Sequence, residues 1–225
     1  QSGNKYRVSA HDADMKETEA IYGQTDSGMT IIEGHLFLNG KKPIQHRSSY
    51  GLGEVIKAAL DNHTEHLVIS LGGIGSFDGG AGMLQALGAT FYDDEAQIVD
   101  MRKGAYLIKY IRRIDLSGVH PQLTKVNIQL MSDFSSRLYG KKSEIMQTYE
   151  SLDLSQNEAA EIDNLIWYFS ELFKNELKIA MGPIERGGAG GGIAAVLNSL
   201  YQADILTSHE LVNQITHLEN LIQQA

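Results

Sequence analysis

Two glycine-rich segments are the parts of this sequence whose residue types could do chemistry. The first, residues 72–82, contains Ser76 and Asp78, and the second, residues 187–192, follows Arg186. Glycine lets the backbone come close to a ligand, and free amides at the start of a helix attract anions such as phosphate or carboxylate. Each segment could therefore bind an anionic group.

The first segment has two interpretations. Its glycines either bring backbone amides to a ligand, or they only permit a tight turn with Asp78 as the N-cap of the next helix. The segment lacks the Gly-Lys-Ser/Thr of a P-loop, and its glycine spacing is not a dinucleotide fingerprint. It also lacks a Gly-x-Ser-x-Gly elbow, so nucleophilic hydrolysis has no support.

The second segment has five glycines in six positions and also has two interpretations. Its amides could cradle an oxyanion, with the Arg186 guanidinium as a fixed fork of donors. Close packing of the following helix would require the same small residues. The pattern alone leaves both alternatives open.

Composition excludes several other classes. The 225 residues include 19 Lys and Arg against 28 Asp and Glu, and the net charge of −9 disfavours nucleic acid as a partner. The absence of cysteine removes thiolate nucleophiles and cysteine zinc sites, and it fits a cytoplasmic protein. No segment approaches the roughly 18 apolar residues of a membrane span. The crowding of His11, Asp12 and Asp14 is typical of a loop, so no metal site is predicted.

The elements that must position these segments alternate between strands and helices. Strands are predicted at residues 6–10, 18–23 and 29–33, and these three indicate an antiparallel meander. Two more strands are predicted at residues 66–71 and 126–131. A small hairpin is expected around residues 93–95. The run 66–71 is almost continuously apolar, which is typical of a strand buried on both faces. We therefore predict an α/β fold with a mixed sheet flanked by helices.

Helices are predicted from apolar spacing and capping residues. They cover residues 53–60, a segment through Met83 to Leu87, and residues 103–110 and 193–201. Ser155 and Glu158 form a capping box before a long helix whose buried stripe contains Ile162, Leu165, Ile166, Phe169, Leu172 and Phe173. Ser208 is the expected cap of a last helix with an apolar face of Leu211, Ile215, Leu218 and Ile222.

Four blocks, taken together, resemble the type-1 glycerate kinase family over nearly the whole chain. In order, they are residues 49–54 (Ser-Tyr-Gly-Leu-Gly-Glu), 78–88, 114–118 and 189–193. The resemblance implies transfer of the γ-phosphoryl group of ATP, with Mg2+, to D-glycerate. Family members are larger: a second α/β domain is inserted into a Rossmann-like or flavodoxin-like domain, and the reaction takes place in the cleft between them.

The resemblance identifies the chain with the inserted domain. Residues 1–3 resemble a remnant of a cleaved expression tag, so a single α/β domain is expected at residues 4–225. The family's Asp-Ser-Phe-Lys-Gly and Gly-Glu-Gly segments are not in this sequence. The resemblance leaves two alternatives for a partner. One is the second domain that is missing from this sequence, and the other is a second copy of the chain, in a homodimer formed through the last helix.

Individual residues of this chain match the family's motifs to different degrees. Asp78 matches the Asp of the family's Asn-Asp-Gly-Gly run, and Asp133 matches the Asp of Cys-Asp-Val-x-Asn-Pro-Leu. The resemblance thus implies two candidate catalytic residues, Asp78 and Asp133, and a set of substrate- or phosphate-binding residues: Gly72, Gly73, Ser76, Gly79, Gly80, Arg186, Gly187, Gly188, Gly190 and Gly191. No metal ligand is assigned.

Departures from the family pattern leave two hypotheses. The family's lysine-bearing Phe-Gly-Pro-Gln-Lys-Gly-Ala falls near residues 148–154, where this chain has Glu150 and Asp153. Phosphoryl transfer depends on positive charge around the transferred group, so this replacement opposes catalysis. The chain is therefore either the inserted domain of a glycerate kinase or a non-catalytic homologue that acts as a small-molecule binding or regulatory module.

Overall fold

The computed structural model describes residues 2–72 and 75–216, except for the side chains of Ile215 and Thr216. The strands are β1 (Gly3–His11), β2 (Glu17–Thr25), β3 (Met29–Glu33), β4 (His66–Ser70), β5 (Thr90–Tyr92), β6 (Arg113–Asp115), β7 (Asn127–Met131) and β8 (Asp204–Leu206). The α-helices are α1 (His35–Leu38), α2 (Tyr50–Asp61), α3 (Ala81–Ala86), α4 (Glu144–Thr148), α5 (Gln156–Leu177), α6 (Ile193–Tyr201) and α7 (Ser208–Thr216). Short 3-10 helices lie at Ile44–His46, Met101–Lys103, Ala105–Tyr110, Pro121–Thr124 and Tyr149–Leu152.

A six-stranded mixed sheet with the order β1-β2-β3-β4-β7-β8 forms the centre of the fold. The first three strands are antiparallel, which confirms the predicted meander. From β3 onward the neighbouring strands are parallel. The predicted α/β fold with a mixed sheet is confirmed, and the parallel half brings the carboxyl ends of β4 and β7 together at one edge.

Burial along the strands follows their position in the sheet. In the central strand β4, Leu67, Val68 and Ile69 are all buried, as the apolar run predicts. In β3, buried Thr30 and Ile32 alternate with Ile31, which is 43% exposed. The predicted hairpin at residues 93–95 is present as well, closed by a bridge between Tyr92 and Ile98. The two central strands β4 and β7 are therefore the ones that are covered on both faces.

Helix α2 packs against the meander and against α3. It begins three residues before the predicted start, and the Ser48 hydroxyl accepts a hydrogen bond from its first amide, that of Tyr50, at 3.2 Å. A Cβ at Gly53 would lie 2.4 Å from the carbonyl oxygen of Met83, so only glycine permits this distance between the two helices.

The long helix α5 confirms the predicted capping box. The Ser155 hydroxyl accepts from the Glu158 amide, and the Glu158 carboxylate accepts from the Ser155 amide at 2.8 Å. Of the predicted stripe, Ile162, Ile166, Phe169 and Phe173 are buried, whereas Leu165 and Leu172 are partly buried against the core. All six residues of the predicted stripe therefore face the apolar interior, and four of them are buried.

Two helix predictions are wrong, one for a whole helix and one for a helix cap. Residues 103–110 do not form one helix, because Gly104 has a φ of 123° and divides the segment into two 3-10 helices. Helix α7 is capped by Thr207 rather than Ser208: the Thr207 hydroxyl accepts from the Glu210 amide at 3.1 Å, and the Glu210 carboxylate accepts from the Thr207 amide at 2.7 Å.

The rest of the C-terminal prediction is only partly covered by the structure. Leu211 is buried, as expected for the apolar face of α7. The side chain of Ile215, and Leu218 and Ile222 altogether, lie outside the described residues. Within the part that the structure describes, no helix has the length and apolar character needed to cross a bilayer.

Candidate functional site

A cavity of about 240 Å³ lies at the carboxyl ends of the parallel strands β4 and β7. Ligands of α/β proteins bind preferentially at this end of the sheet. Segments after both strands, helix α4 and the following 3-10 helix form the wall. The lining residues are Ser70, Leu71, Gly72, Met131, Ser132, Asp133, Phe134, Glu144, Thr148, Ser151 and Leu152.

The wall of the cavity combines hydroxyl, carboxyl and apolar side chains. Among the described residues, no Lys, Arg or His lines it. Its two acidic side chains, Asp133 and Glu144, therefore have no cationic neighbour in the wall.

Glu144 is the most unusual side chain of this cavity. It is the first residue of α4, whose cap is the Ser143 hydroxyl, and it is only 2% exposed. Burial raises the pKa of its carboxyl to about 8, although a hydrogen bond from the Gly191 amide favours the ionised form. Its Oε2 atom has no hydrogen-bond partner within the described ranges 2–72 and 75–216. A buried carboxyl oxygen without a partner is costly, and a ligand would relieve that cost.

Asp133 lines the same cavity but is exposed to solvent. Its carboxylate accepts hydrogen bonds from the Ser208 amide at 2.8 Å and from the Ser208 hydroxyl at 2.9 Å. These bonds hold the pKa of Asp133 below its ordinary value. Asp133 thus anchors the start of α7 while it faces the cavity, and its predicted catalytic role stays a prediction.

Asp78, the other predicted catalytic residue, is fully buried and does not line the cavity. Its carboxylate accepts from the Ser49 amide, the Ser49 hydroxyl, the Gly80 amide and the Gly82 amide, at distances of 2.7 to 3.2 Å. Burial raises the pKa of Asp78, and the four donors act in the opposite direction. In this arrangement Asp78 ties the glycine turn to the start of α2, which agrees with a packing role. The N-cap of α3 is Gly80, so the prediction that Asp78 caps this helix is wrong.

The other candidates of the first glycine segment lie in different surroundings. Gly72 lines the cavity, whereas Gly73 lies outside the described residues. Ser76 is fully buried, and its hydroxyl has no partner among the described residues. Gly79 and Gly80 have φ values of 63° and 77°, so they form the left-handed turn that leads into α3.

The amides of the second glycine segment are largely used inside the protein. The Gly187, Gly188 and Gly192 amides donate to the carbonyl oxygens of Ile184, Ser136 and Gly188. The Gly191 amide donates to the Glu144 carboxyl. Few of the donors that an oxyanion cradle would need are thus available, and the phosphate-binding role of Gly187, Gly188, Gly190 and Gly191 stays a prediction.

The two glycine segments pack directly against each other. The Gly79 amide donates to the Gly191 carbonyl oxygen at 3.0 Å. A Cβ at Gly191 would lie 2.0 Å from the Ser76 carbonyl oxygen, and one at Gly192 would lie 2.8 Å from the Gly79 Cα. The glycines at these positions are therefore required by close backbone packing.

Arg186, the predicted anion ligand before the second segment, forms an ion pair with Glu210 of α7 at 3.3 Å. The described residues contain no group of three or more His, Cys, Asp or Glu that could hold a metal ion. Since no Lys, Arg or His is among the described residues of the cavity wall, this wall does not fit a magnesium triphosphate.

Sequence reasoning missed the central position of Glu144. The only local signal was Ser143 before an acidic residue, which marks the start of a helix and not a buried carboxyl. Burial of Glu144 depends on the tertiary fold, and the Gly191 amide that acts on its carboxyl lies 47 positions later in the chain. Ser132, Thr148 and Ser151 were missed for the same reason, because their hydroxyls come together only in the folded protein.

Comparison with known proteins places these observations in context. A sequence model described as the glycerate kinase family matches residues 1–225. A glycerate kinase from Halalkalibacterium halodurans is 30% identical over 214 residues, which cover 92% of this chain and 56% of the relative. A glycerate 2-kinase from Escherichia coli K12 is 30% identical over 175 residues, 78% of this chain and 45% of the relative.

Among solved structures, a protein described as glycerate kinase 2 from Salmonella typhimurium LT2 superimposes with a TM-score of 0.90 at 26% identity. The match covers 97% of this chain and 60% of that chain. The present chain thus spans about half the length of the curated relatives that it matches.

Proposed function

Since the chain belongs to the glycerate kinase family, we propose that it serves in the ATP-dependent phosphorylation of D-glycerate. The observation that carries this proposal is the family match over residues 1–225. The TM-score of 0.90 with the Salmonella protein supports it, because the similarity extends to the arrangement of the whole chain. ATP and Mg2+ are the proposed cofactors of this reaction, and we propose that they are held by groups other than the wall of the cavity described above.

We propose further that the chain contributes substrate contacts but does not transfer phosphate by itself. Transfer needs positive charge or metal around the γ-phosphoryl group. No Lys, Arg or His is among the described residues that line the cavity, and Arg186, whose charge acts on Asp133, is paired with Glu210. Glu150 and Asp153 stand where the family pattern has a lysine loop. The catalytic cation would then come from the kind of segment that makes up the other part of the relatives, which this chain does not match.

The second candidate function is that of a binding or regulatory module without catalysis. The same wall favours it, because the ionised carboxylate of Asp133 would repel both a triphosphate and the carboxylate of glycerate. Cytoplasmic location and a homodimer remain predictions under either function. Gel filtration of the purified chain tests the homodimer.

Calorimetric titration of the purified chain with D-glycerate and with Mg-ATP tests the first proposal. It is paired with an assay of ADP release in the presence and absence of D-glycerate. We expect D-glycerate to bind and ADP release to stay at the level of the blank. The matched variant is Asp133→Asn, because Asp133 lines the cavity and is exposed, so the substitution removes no buried side-chain contact.

The outcomes separate the two functions. Binding of D-glycerate without turnover supports the role as one part of a kinase. ADP release that requires D-glycerate and disappears in Asp133→Asn would show that the chain transfers phosphate alone, against our expectation. If neither ligand binds, the kinase role is rejected and the binding-module hypothesis gains.

A further inference from the structure

The small sheet of β5 and β6 has an outer face that is remote in function from the cavity and the glycine segments. Its inner side chains, Phe91 and Ile114, are buried in the core. On the outer face, Tyr92 pairs with Arg113 of the neighbouring strand, and Ile98 forms a bridge to Tyr92 from the other side. Residues directly opposite each other in antiparallel strands share a face, so Ile98, Tyr92 and Arg113 form one row.

This row combines an exposed apolar side chain with a stacked arginine. Ile98 is 65% exposed, the largest exposed fraction of any large apolar side chain in the described part of the chain. The Arg113 guanidinium lies over the Tyr92 ring, with Cζ 3.9 Å from the ring centroid. A stacked arginine is already ordered, so it loses little freedom when a partner binds. Arginine and tyrosine are also the residue types enriched at the energetic centres of protein interfaces.

Charges of both signs flank the row. The turn between Tyr92 and Ile98 carries the exposed side chains of Asp94 and Glu95, which we call the acidic tip. At the β6 end of the row, Arg112 and Arg113 are both exposed, and we call them the arginine pair. Among the residues that the structure describes, neither the acidic tip nor the arginine pair takes part in an ion pair.

The lobe formed by residues 90–115 is electrically balanced, whereas the whole chain has a net charge of −9. Its five acidic and five basic residues are Asp93, Asp94, Glu95, Asp100, Asp115, Arg102, Lys103, Lys109, Arg112 and Arg113. Two copies of this acidic chain therefore repel each other least where their lobes meet. Since the acidic tip and the arginine pair carry equal and opposite charge, the surface is complementary to itself under a two-fold rotation.

We propose that the outer face of β5 and β6 is an isologous interface between two copies of this chain. The acidic tip of each copy meets the arginine pair of the other, with Ile98 and Tyr92 in the centre. A partner with charge of one sign leaves either the tip or the arginine pair unmatched, whereas a second copy matches both. This surface is separate from the last helix, and self-association through it does not depend on the proposed kinase function.

Analytical ultracentrifugation of the full 225-residue chain, without glycerate or nucleotide, measures the self-association directly. We expect a monomer–dimer equilibrium with a Kd between about 1 and 100 μM, as for an interface of modest size. Salt screens exposed charges, so raising the ionic strength from about 0.05 to 0.5 M should weaken the dimer about fivefold or more.

Charge reversal tests which groups meet. One variant combines Asp94→Lys with Glu95→Lys, and the other combines Arg112→Glu with Arg113→Glu. Each variant alone places like charges against each other in both contacts, so its dimer should weaken about tenfold or more. An equal mixture of the two variants restores opposite charges in both contacts, and it should form a heterodimer within about threefold of the native affinity.

The apolar centre is tested separately. We expect Ile98→Glu to weaken the dimer about tenfold or more, because the interface buries this side chain at its centre. The matched control is Val212→Glu, at an exposed apolar position of α7 that is 46% accessible to solvent. It adds the same charge to the chain outside the proposed interface, and the dimer affinity should stay unchanged.

Three results overturn the proposal: a chain that stays monomeric over the whole concentration range, a dimer that both charge-reversed variants retain, or a dimer that Val212→Glu disrupts and Ile98→Glu does not. Circular dichroism checks that each variant is folded. If a charge-reversed variant does not fold, the comparison of Ile98→Glu with Val212→Glu decides. If both fold and their mixture forms no heterodimer, the pairing of tip and arginines is refuted.

Discussion

The buried carboxylate of Asp78 accepts hydrogen bonds from both the amide and the hydroxyl of Ser49, at 2.7 and 2.9 Å. The same Ser49 hydroxyl accepts from the Met83 amide at 2.9 Å. Ser49 therefore connects the first glycine turn, the start of α2 and the first turn of α3. This contact makes the Asp78 residue part of the framework that holds the site.

Replacement of Asp78 by alanine is expected to destabilise the fold by about 3 kcal/mol, because four donors lose a buried acceptor. Urea unfolding followed by circular dichroism measures this change. Asp94→Ala, at an exposed position, is the control and should stay within about 0.5 kcal/mol of the native chain. A loss below about 1 kcal/mol for Asp78→Ala would contradict the framework role.

The packing of the two glycine segments predicts that Gly191→Ala is poorly tolerated. Its Cβ would lie 2.0 Å from the Ser76 carbonyl oxygen, and its φ is 64°. We expect a loss of about 3 kcal/mol or more in unfolding free energy. Gly140→Ala is the matched control: Gly140 has a φ of 89°, but a Cβ there meets nothing within 4 Å.

The control separates backbone strain from steric overlap. Gly140→Ala should lose only the strain of a left-handed backbone, about 1 to 2 kcal/mol. Equal losses in the two variants would mean that the contact with Ser76 does not matter.

The raised pKa of Glu144 predicts that the unfolding free energy depends on pH. Its folded pKa of about 8 lies above the ordinary value of 4.5, so the folded protein keeps a proton that the unfolded chain releases between these values. The native chain should therefore lose stability as the pH rises from 4.5 to 8. Relative to Glu144→Gln, this loss is on the order of 4 kcal/mol.

Urea unfolding of the native chain and of Glu144→Gln at several pH values from 4.5 to 8 tests this expectation. Because other groups titrate equally in both chains, the difference between the two curves isolates Glu144. Parallel curves over the whole range would show that the Glu144 carboxyl has an ordinary pKa in the folded state.

The capping box of α5 predicts a smaller effect. Ser155→Ala removes the acceptor of the Glu158 amide and should lower the unfolding free energy by about 1 kcal/mol. Thermal unfolding compares it with Ser135→Ala, an exposed serine outside the helices. If both variants have the same Tm, the capping box contributes nothing measurable to the stability of α5.

Local patterns predicted the elements well where periodicity and caps act over a few residues. The apolar run of β4, the meander β1 to β3 and the Ser155 cap all depend on neighbours in the sequence, and all are confirmed. The predicted helix at 103–110 is wrong, because Gly104 adopts a φ of 123°, and a Cβ there would lie 2.5 Å from the Cα of His46. That contact joins segments far apart in the chain.

The sequence by itself determined the fold class, the antiparallel meander, the central strand β4, the start of α5 and the family resemblance, since these follow from side-chain size, spacing and short motifs. Only the tertiary structure decided what the polar residues of the site do. Asp78 is satisfied because Ser49 lies against it, and Glu144 keeps an unpaired oxygen beside Gly191. Whether a carboxyl braces the fold or is left to meet a ligand depends on which distant backbone groups pack around it.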